Sequence, residues 1–286
     1  MPSIKEVKNR IGSVSSTQQL TKAMKMVAAA KLKRAQDKVI QLRPFSQKLS
    51  LVLSNVSSSG SVNNEFFTER NIKNILVVVI GSDKGLCGSF NSNIFKQFNL
   101  LSKDESYQDK SLTVLPIGKK AKDFFKKTNY KIINDYWDVL KKFNYDKASE
   151  ITDNIMSMFK SGEIDKVDII FNEFKNVVVQ NTIAENFLPV NESSEHNNST
   201  HNYIFEPEKN KIISDLIPQT LKTQLFKSIL ESSASEQGSR MTAMSQATDN
   251  AGELLKELKL TYNRSRQAAI TKEILEIVGG AEALNN

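Results

Sequence analysis

Apolar positions near the two ends of the chain recur with helical spacing, and those in the middle with strand spacing. A heptad seam, stepping by three and four, runs through Ile4, Val7, Ile11, Val14, Gln18, Thr21, Lys25, Ala28, Leu32, Ala35, Val39, Leu42, Ser46, Leu49, Leu53 and Val56. It is apolar at both ends and polar at Gln18, Thr21 and Lys25. A displaced stripe of Leu20, Met24 and Val27 lies beside the polar stretch, which predicts a local rotation of the apolar face, as a stutter produces. Residues 1–57 therefore read as one helix of roughly 80 Å, kinked or loosened at Pro44.

The last third repeats the pattern. One seam runs Met241, Met244, Thr248, Ala251, Leu255, Leu258 and Tyr262, and an offset one runs Ile270, Ile274, Ile277, Ala281 and Leu284. Beyond Pro218 there is no further proline, so a helix of about 100 Å is predicted from about 219 to 284, within a segment 208–286. Two such rods at opposite ends of the chain are expected to pair antiparallel, because a lone helix of that length is marginal in water.

Between them, over 72–205, strands alternate with helices. Strands are predicted at 74–80, 112–117 and 131–137, helices at about 91–101, 118–128 and 147–162, and a closing hairpin over 166–187 turns near Lys175-Asn176. That alternation predicts an α/β fold with a mostly parallel sheet. The first strand runs straight into a glycine-rich turn, "ILVVVIGSDKGLCGSFN" (75–91). The turn resembles a phosphate loop but lacks its chemistry. Lys84 precedes its glycine, no Lys-Ser or Lys-Thr follows Gly88, and Gly81, Gly85 and Gly88 are spaced four and three. No magnesium ligands or water-positioning residue can be assigned. Catalytic, cofactor and metal residues are all expected to be none.

Composition narrows the remaining classes. The longest apolar run, Ile75 to Ile80, falls far short of the roughly 20 residues of a membrane span. Cys87 is the one cysteine, so no internal disulfide forms, and a small apolar residue in a tight turn is its expected role. Both histidines, His196 and His201, lie in the polar stretch 190–203, which argues against a histidine triad or a zinc site. The net charge is +7, yet residues 1–43 alone carry ten basic side chains against two acidic ones, an excess of eight. The positive field belongs to one end of the chain and suggests an acidic partner.

Three segments, "TKAMKMVAAAKLKRAQ" (21–36), "GSDKGLCGSFN" (81–91) and "ASEQGSRMTAMSQATDNAGELLKELKLTYNRSRQAAITKEILEIVGGAEAL" (234–284), together resemble the gamma subunits of F-type ATP synthase, in order and spacing along essentially the whole chain. The resemblance implies an antiparallel coiled coil of the terminal helices with an inserted Rossmann-like α/β domain. It also implies a non-catalytic central-stalk rotor that couples the membrane c-ring to ATP synthesis or hydrolysis at the beta-subunit sites. Its implied partners are the alpha and beta subunits, the epsilon subunit and the c-ring, with no nucleic acid and no bilayer insertion. Its implied place is peripheral, on the cytoplasmic side of the cell inner membrane. The family's beta-subunit contacts fall on Met24 and Lys25, on Lys84 and Lys96, on Arg240 of "SE-x-x-x-RM", and on Arg266, Gln267, Thr271 and Glu273. Lys272 departs from the pattern, where glutamine is expected. The lack of a transit peptide suggests a bacterial or processed chain, and the loop 190–203 reads as lineage-specific.

Two other classes are weighed against this. A nucleotide-using enzyme conflicts with the glycine spacing. A basic nucleic-acid binder has the charge, but residues 1–43 contain no aromatic side chain on which a base could stack.

Overall fold

The computed structural model describes residues 3–58, 65–67, 70–190 and 209–285. It divides into two compact units, one of Met1–Ala28 with Met241–Asn286 and one of Ala29–Arg240. The stretch 191–203 of the polar loop, with both histidines, lies outside the described residues.

The larger unit is built on five strands: β1 (Asn74–Ile80), β2 (Ser111–Ile117), β3 (Lys131–Ile132), β4 (Lys166–Phe174) and β5 (Gln180–Leu188). Their order across the sheet is β3-β2-β1-β4-β5. The first four are mutually parallel, and β5 returns antiparallel along β4. β1 is buried on both faces, as a central parallel strand must be, so its sequence reads as a continuous apolar run. Ile75, Val77 and Val79 face α2 (Phe90–Leu101) and α3 (Lys119–Phe125), packing with Phe90, Ile94, Phe98 and Phe125. Leu76, Val78 and Ile80 face the opposite way, toward α4 (Tyr145–Lys160) and the terminal helices α1 (Ile4–Ser58) and α5 (Lys209–Asn285). α4 starts where Asn144 accepts a hydrogen bond from the Lys147 amide (3.0 Å) and buries Ile151, Ile155 and Phe159. In this unit α5 presents Ile213, Ile217, Leu221, Leu225 and Ile229 to the sheet, one per turn.

Two predicted boundaries change substantially, and the hairpin turn falls where predicted. α5 begins at Lys209 and passes through Pro218, ten residues before the predicted start. Ile213, Ile217 and Leu221 are buried on both sides of the proline, and that packing outweighs its lost amide donor. The third strand stops at Ile132 instead of 137. Beyond it the turn formers Asn134 and Asp135 lead the chain away, and the Trp137 carbonyl receives the Gly118 amide (2.9 Å). The hairpin turns at Asn176, whose side chain accepts from the Val178 and Val179 amides (2.9 and 2.7 Å).

In the smaller unit the two terminal helices pair antiparallel. Gln18 Nε2 donates to the Thr248 carbonyl (3.5 Å), the Thr21 and Thr248 hydroxyls meet at 2.8 Å, and Lys25 Nζ donates to Ser245 Oγ (2.9 Å). The seam therefore stays straight, and the predicted local rotation does not occur. Thr21 is buried on the seam, whereas Leu20 and Val27 of the displaced stripe are more than half exposed. Polar side chains hold the seam's middle because each finds a partner across it.

Candidate functional site

The glycine-rich turn singled out in the sequence follows the carboxyl end of β1, beside its parallel neighbour β4. From β1 the chain crosses to β2 and β3 on one side, then returns to β4 on the other. The crevice between β1 and β4 is thus the topological switch point, where open α/β sheets take their ligands.

The loop that opens this crevice is shaped by backbone approach. A Cβ on Gly81 would lie 2.9 Å from the Ala121 Cβ, and one on Gly118, whose φ is +95°, would lie 2.6 Å from the Gly81 carbonyl oxygen. The loop's polar groups then bond to one another. Ser82 Oγ donates to the Lys84 carbonyl (2.9 Å), and Asn91 Nδ2 donates to Ser82 Oγ (2.7 Å) and to Cys87 Sγ (3.2 Å). Asp83 Oδ1 accepts from the Lys119 amide (3.1 Å). Cys87 is buried, and burial raises its thiol pKa against the opposing effects of the Ser82 hydrogen bond and the Arg240 charge. A thiol kept protonated in this way is a packing group rather than a nucleophile.

Across the crevice lies α5. Ser232 Oγ donates to the carbonyl of Ile80 at the end of β1 (3.4 Å), and Ser235 Oγ to that of Asn172 on β4 (2.9 Å). One turn on, Ser239 Oγ donates to the Cys87 carbonyl (2.6 Å). Arg240 Nη2 donates to the carbonyls of Lys84 (3.0 Å) and Gly85 (3.3 Å), while Nη1 is paired with Glu236 at 2.6 Å. Burial raises the Glu236 pKa, and the charge and hydrogen bond of Arg240 pull it only part of the way back. Nearby, the buried Glu231 meets Arg43 at 3.5 Å, again with its pKa raised chiefly by burial. Helix α5 stands where a doubly wound sheet would hold a phosphate. Among the described residues, no group of three or more His, Cys, Asp or Glu side chains is placed to hold a metal ion.

The residues singled out in the sequence do not form one cluster. Lys84 and Lys96 are exposed on the α/β body. The Arg240 side chain is 11% exposed and engaged within the chain. Met24 is half-buried and Lys25 exposed on α1, and Arg266, Gln267, Thr271 and Glu273 are exposed on α5. Near these last four, Ile270, Ile274, Leu275, Ile277 and Val278 are also exposed, an apolar surface with no counterpart in the described chain. Nine of the ten basic residues of 1–43 are exposed, Arg43 being the exception. Sequence reasoning passed over Ser232, Ser235, Ser239 and Glu236. Their signal was the run "ESSASEQGSR", serine-rich inside a long helix where serine is otherwise a weak helix former.

A family profile described as ATP synthase matches residues 3–284. An ATP synthase gamma chain of Cytophaga hutchinsonii is 49% identical over 295 residues, and one of Flavobacterium johnsoniae 50% identical over 288, each covering all of both chains. The chain belongs to the ATP synthase gamma chain family. Among solved structures it is similar to a chain of the Tetrahymena thermophila mitochondrial ATP synthase central stalk and c-ring. That match is 28% identical with a TM-score of 0.57, covering 80% of this chain and 99% of that one. A chain of the Euglena gracilis mitochondrial ATP synthase, at 21% identity and a TM-score of 0.70, covers 98% of this chain and 94% of its own length and shares the fold. Among the described residues, no helix is long and apolar enough to cross a membrane.

Proposed function

We propose that the chain is the central rotor subunit of a proton-translocating ATP synthase. It couples rotation of the membrane c-ring to the nucleotide sites of the beta subunits and performs no chemistry itself. The observation that carries the non-catalytic reading is the position of α5, which fills the switch-point crevice with its own hydroxyls and guanidinium.

The paired helices enter a ring of alternating alpha and beta subunits. A single asymmetric rod cannot match every copy in such a ring, so it stabilises a different conformation in each. The exposed apolar end of α5 meets the inner surface of the ring. Met24, Lys25, Arg266, Gln267, Thr271 and Glu273 contact beta along the rod, and Lys84 and Lys96 contact it from the α/β body. Arg240 serves the same contact indirectly, by holding the loop that carries Lys84. Exposed basic groups favour mobile contacts over tight ones, because surface ion pairs contribute little net stability. The α/β body meets the epsilon subunit and the c-ring, and the whole is peripheral on the cytoplasmic side of the inner membrane.

Reconstitution tests this reading. Mixed with alpha and beta subunits of the same organism, the chain should form a complex of one copy per three beta subunits with multisite ATP hydrolysis. Truncation from Ala268 should impair that hydrolysis. Failure to assemble, or ATP hydrolysis by the chain alone, would overturn it. A direct ATP titration of the isolated chain tests the competing enzyme reading, for which saturable binding at the 81–91 loop is required.

A further inference from the structure

The four α5 groups at the crevice do something that apolar packing cannot. Ile213, Ile217, Leu221, Leu225 and Ile229 hold the helix on the sheet, but dispersion contacts are non-directional and resist rolling of a helix about its axis only weakly. Ser232, Ser235 and Ser239 follow one another at three and four residues, on a single face of α5. Each donates to a carbonyl on a different element: the end of β1, β4, and the 81–89 loop. Arg240 then grips two further carbonyls of that loop, while its tie to Glu236 one turn back fixes the guanidinium. The receiving side is rigid. Asn172, whose carbonyl accepts from Ser235, is itself buried, donates to the Phe90 carbonyl (3.2 Å) and accepts from Thr182 on β5.

We propose that Ser232, Ser235, Ser239 and Arg240 are positioning residues that form a rotational key: they fix the azimuth of α5 in the switch-point crevice, so that torque applied to the α/β body passes into the helix there. The inference rests on the rotor reading above. It assigns a mechanical use to a crevice that takes a ligand in other sheets of this topology.

The test uses the complete enzyme in lipid vesicles, with ATP hydrolysis and ion pumping measured together, with and without an opposing ion gradient. The triple variant Ser232→Ala, Ser235→Ala, Ser239→Ala should assemble and hydrolyse ATP normally without load. Near the stalling gradient, its share of uncoupled turnovers should rise by more than about five-fold, the factor that one net hydrogen bond corresponds to, since three are removed. Ser228→Ala is the control, because Ser228 is equally buried but donates to the Gln224 carbonyl of its own helix (2.9 Å). A merely structural defect would lower unloaded hydrolysis or assembly, whereas loss of the key appears only under load. If the triple variant does not assemble, Ser235→Ala alone, which loses only the tie to β4, is read in the same way. Full coupling under load in the variant read, or an equal loss in Ser228→Ala, would overturn the key. If the parent chain itself fails to assemble or couple, it is the rotor reading that falls.

Discussion

Replacing Arg240 with methionine removes one partner of a buried ion pair and leaves the other in place. The two side chains are only 11% and 13% exposed and meet at 2.6 Å, so solvent cannot compensate for the loss. Removing one member of such a pair costs about 3–5 kcal/mol, because the remaining charge is left desolvated. The low end applies here. The Lys84 carbonyl keeps its bond from Ser82, and Glu236 can take up a proton. Glu236→Gln in the methionine background removes the stranded charge and should recover about 1–2 kcal/mol of the loss. The pH dependence supplies an independent check. Burial already lifts the Glu236 pKa above the ordinary 4.5, and loss of Arg240 lifts it further. A carboxyl with a raised folded pKa binds more protons folded than unfolded, so its contribution to stability falls as pH rises from about 4.5 through the folded value. Arg240→Met should therefore lose stability over that window more steeply than the parent, and the double variant should lose the extra slope. Urea unfolding followed by fluorescence reports on this unit directly, since Trp137 is the one tryptophan and lies within it. Equal midpoints for the single and double variants at neutral pH, with no difference in slope, would refute the reasoning.

Two further predictions address local geometry. Gly118→Ala puts a Cβ against the Gly81 carbonyl at a positive φ, and should cost more than about 3 kcal/mol by the same fluorescence assay. Gly279→Ala, with no atom within 4 Å, should instead raise helicity slightly, by about 0.5–1 kcal/mol. In the smaller unit, Thr21→Val leaves the Thr248 hydroxyl only its own-helix bond to the Met244 carbonyl (2.7 Å) and should cost about 0.5–1.5 kcal/mol, while Thr21→Val with Thr248→Val should cost less. Amide exchange along the helix pair distinguishes the two, and a double variant worse than the sum of the singles would contradict a matched polar pair.

Elements whose environment was uniform were legible in the sequence. β1 and β4 are buried along nearly their whole length, so their apolar runs located them to the residue. The heptad seam was legible in position but not in its middle. Counting apolar residues makes Gln18 and Thr21 look like a break, and only the partner helix reveals that Thr248 answers them. β3 was over-read because a strand at the sheet's edge needs no more than the two paired residues it has. The start of α5 was hidden by Pro218, whose local penalty is outweighed by burial on either side of it. Arg240 was marked by its motif, but a motif carries no direction, and the side chain turns inward to the loop.

Gly81, the first glycine of the 81–91 loop, gains a reason from the same contacts. In a phosphate loop glycine permits the backbone to approach an anion, and the lysine after the last glycine neutralises it. Here the close approach is between two stretches of protein backbone. Gly81 must clear Ala121 at the start of α3, and Gly118 must clear Gly81. The requirement for glycine survives although the requirement for a following lysine does not, which is why the turn resembles a nucleotide site in composition and departs from it in spacing. Of the carbonyls that the tight turn directs at α5, that of the buried Cys87 most needs a donor, since a buried carbonyl without one is costly. α5 supplies the donors from Ser239 and Arg240. The loop and the helix thus satisfy each other, and a change in either should be felt first as a change in how firmly α5 is held at the end of β1.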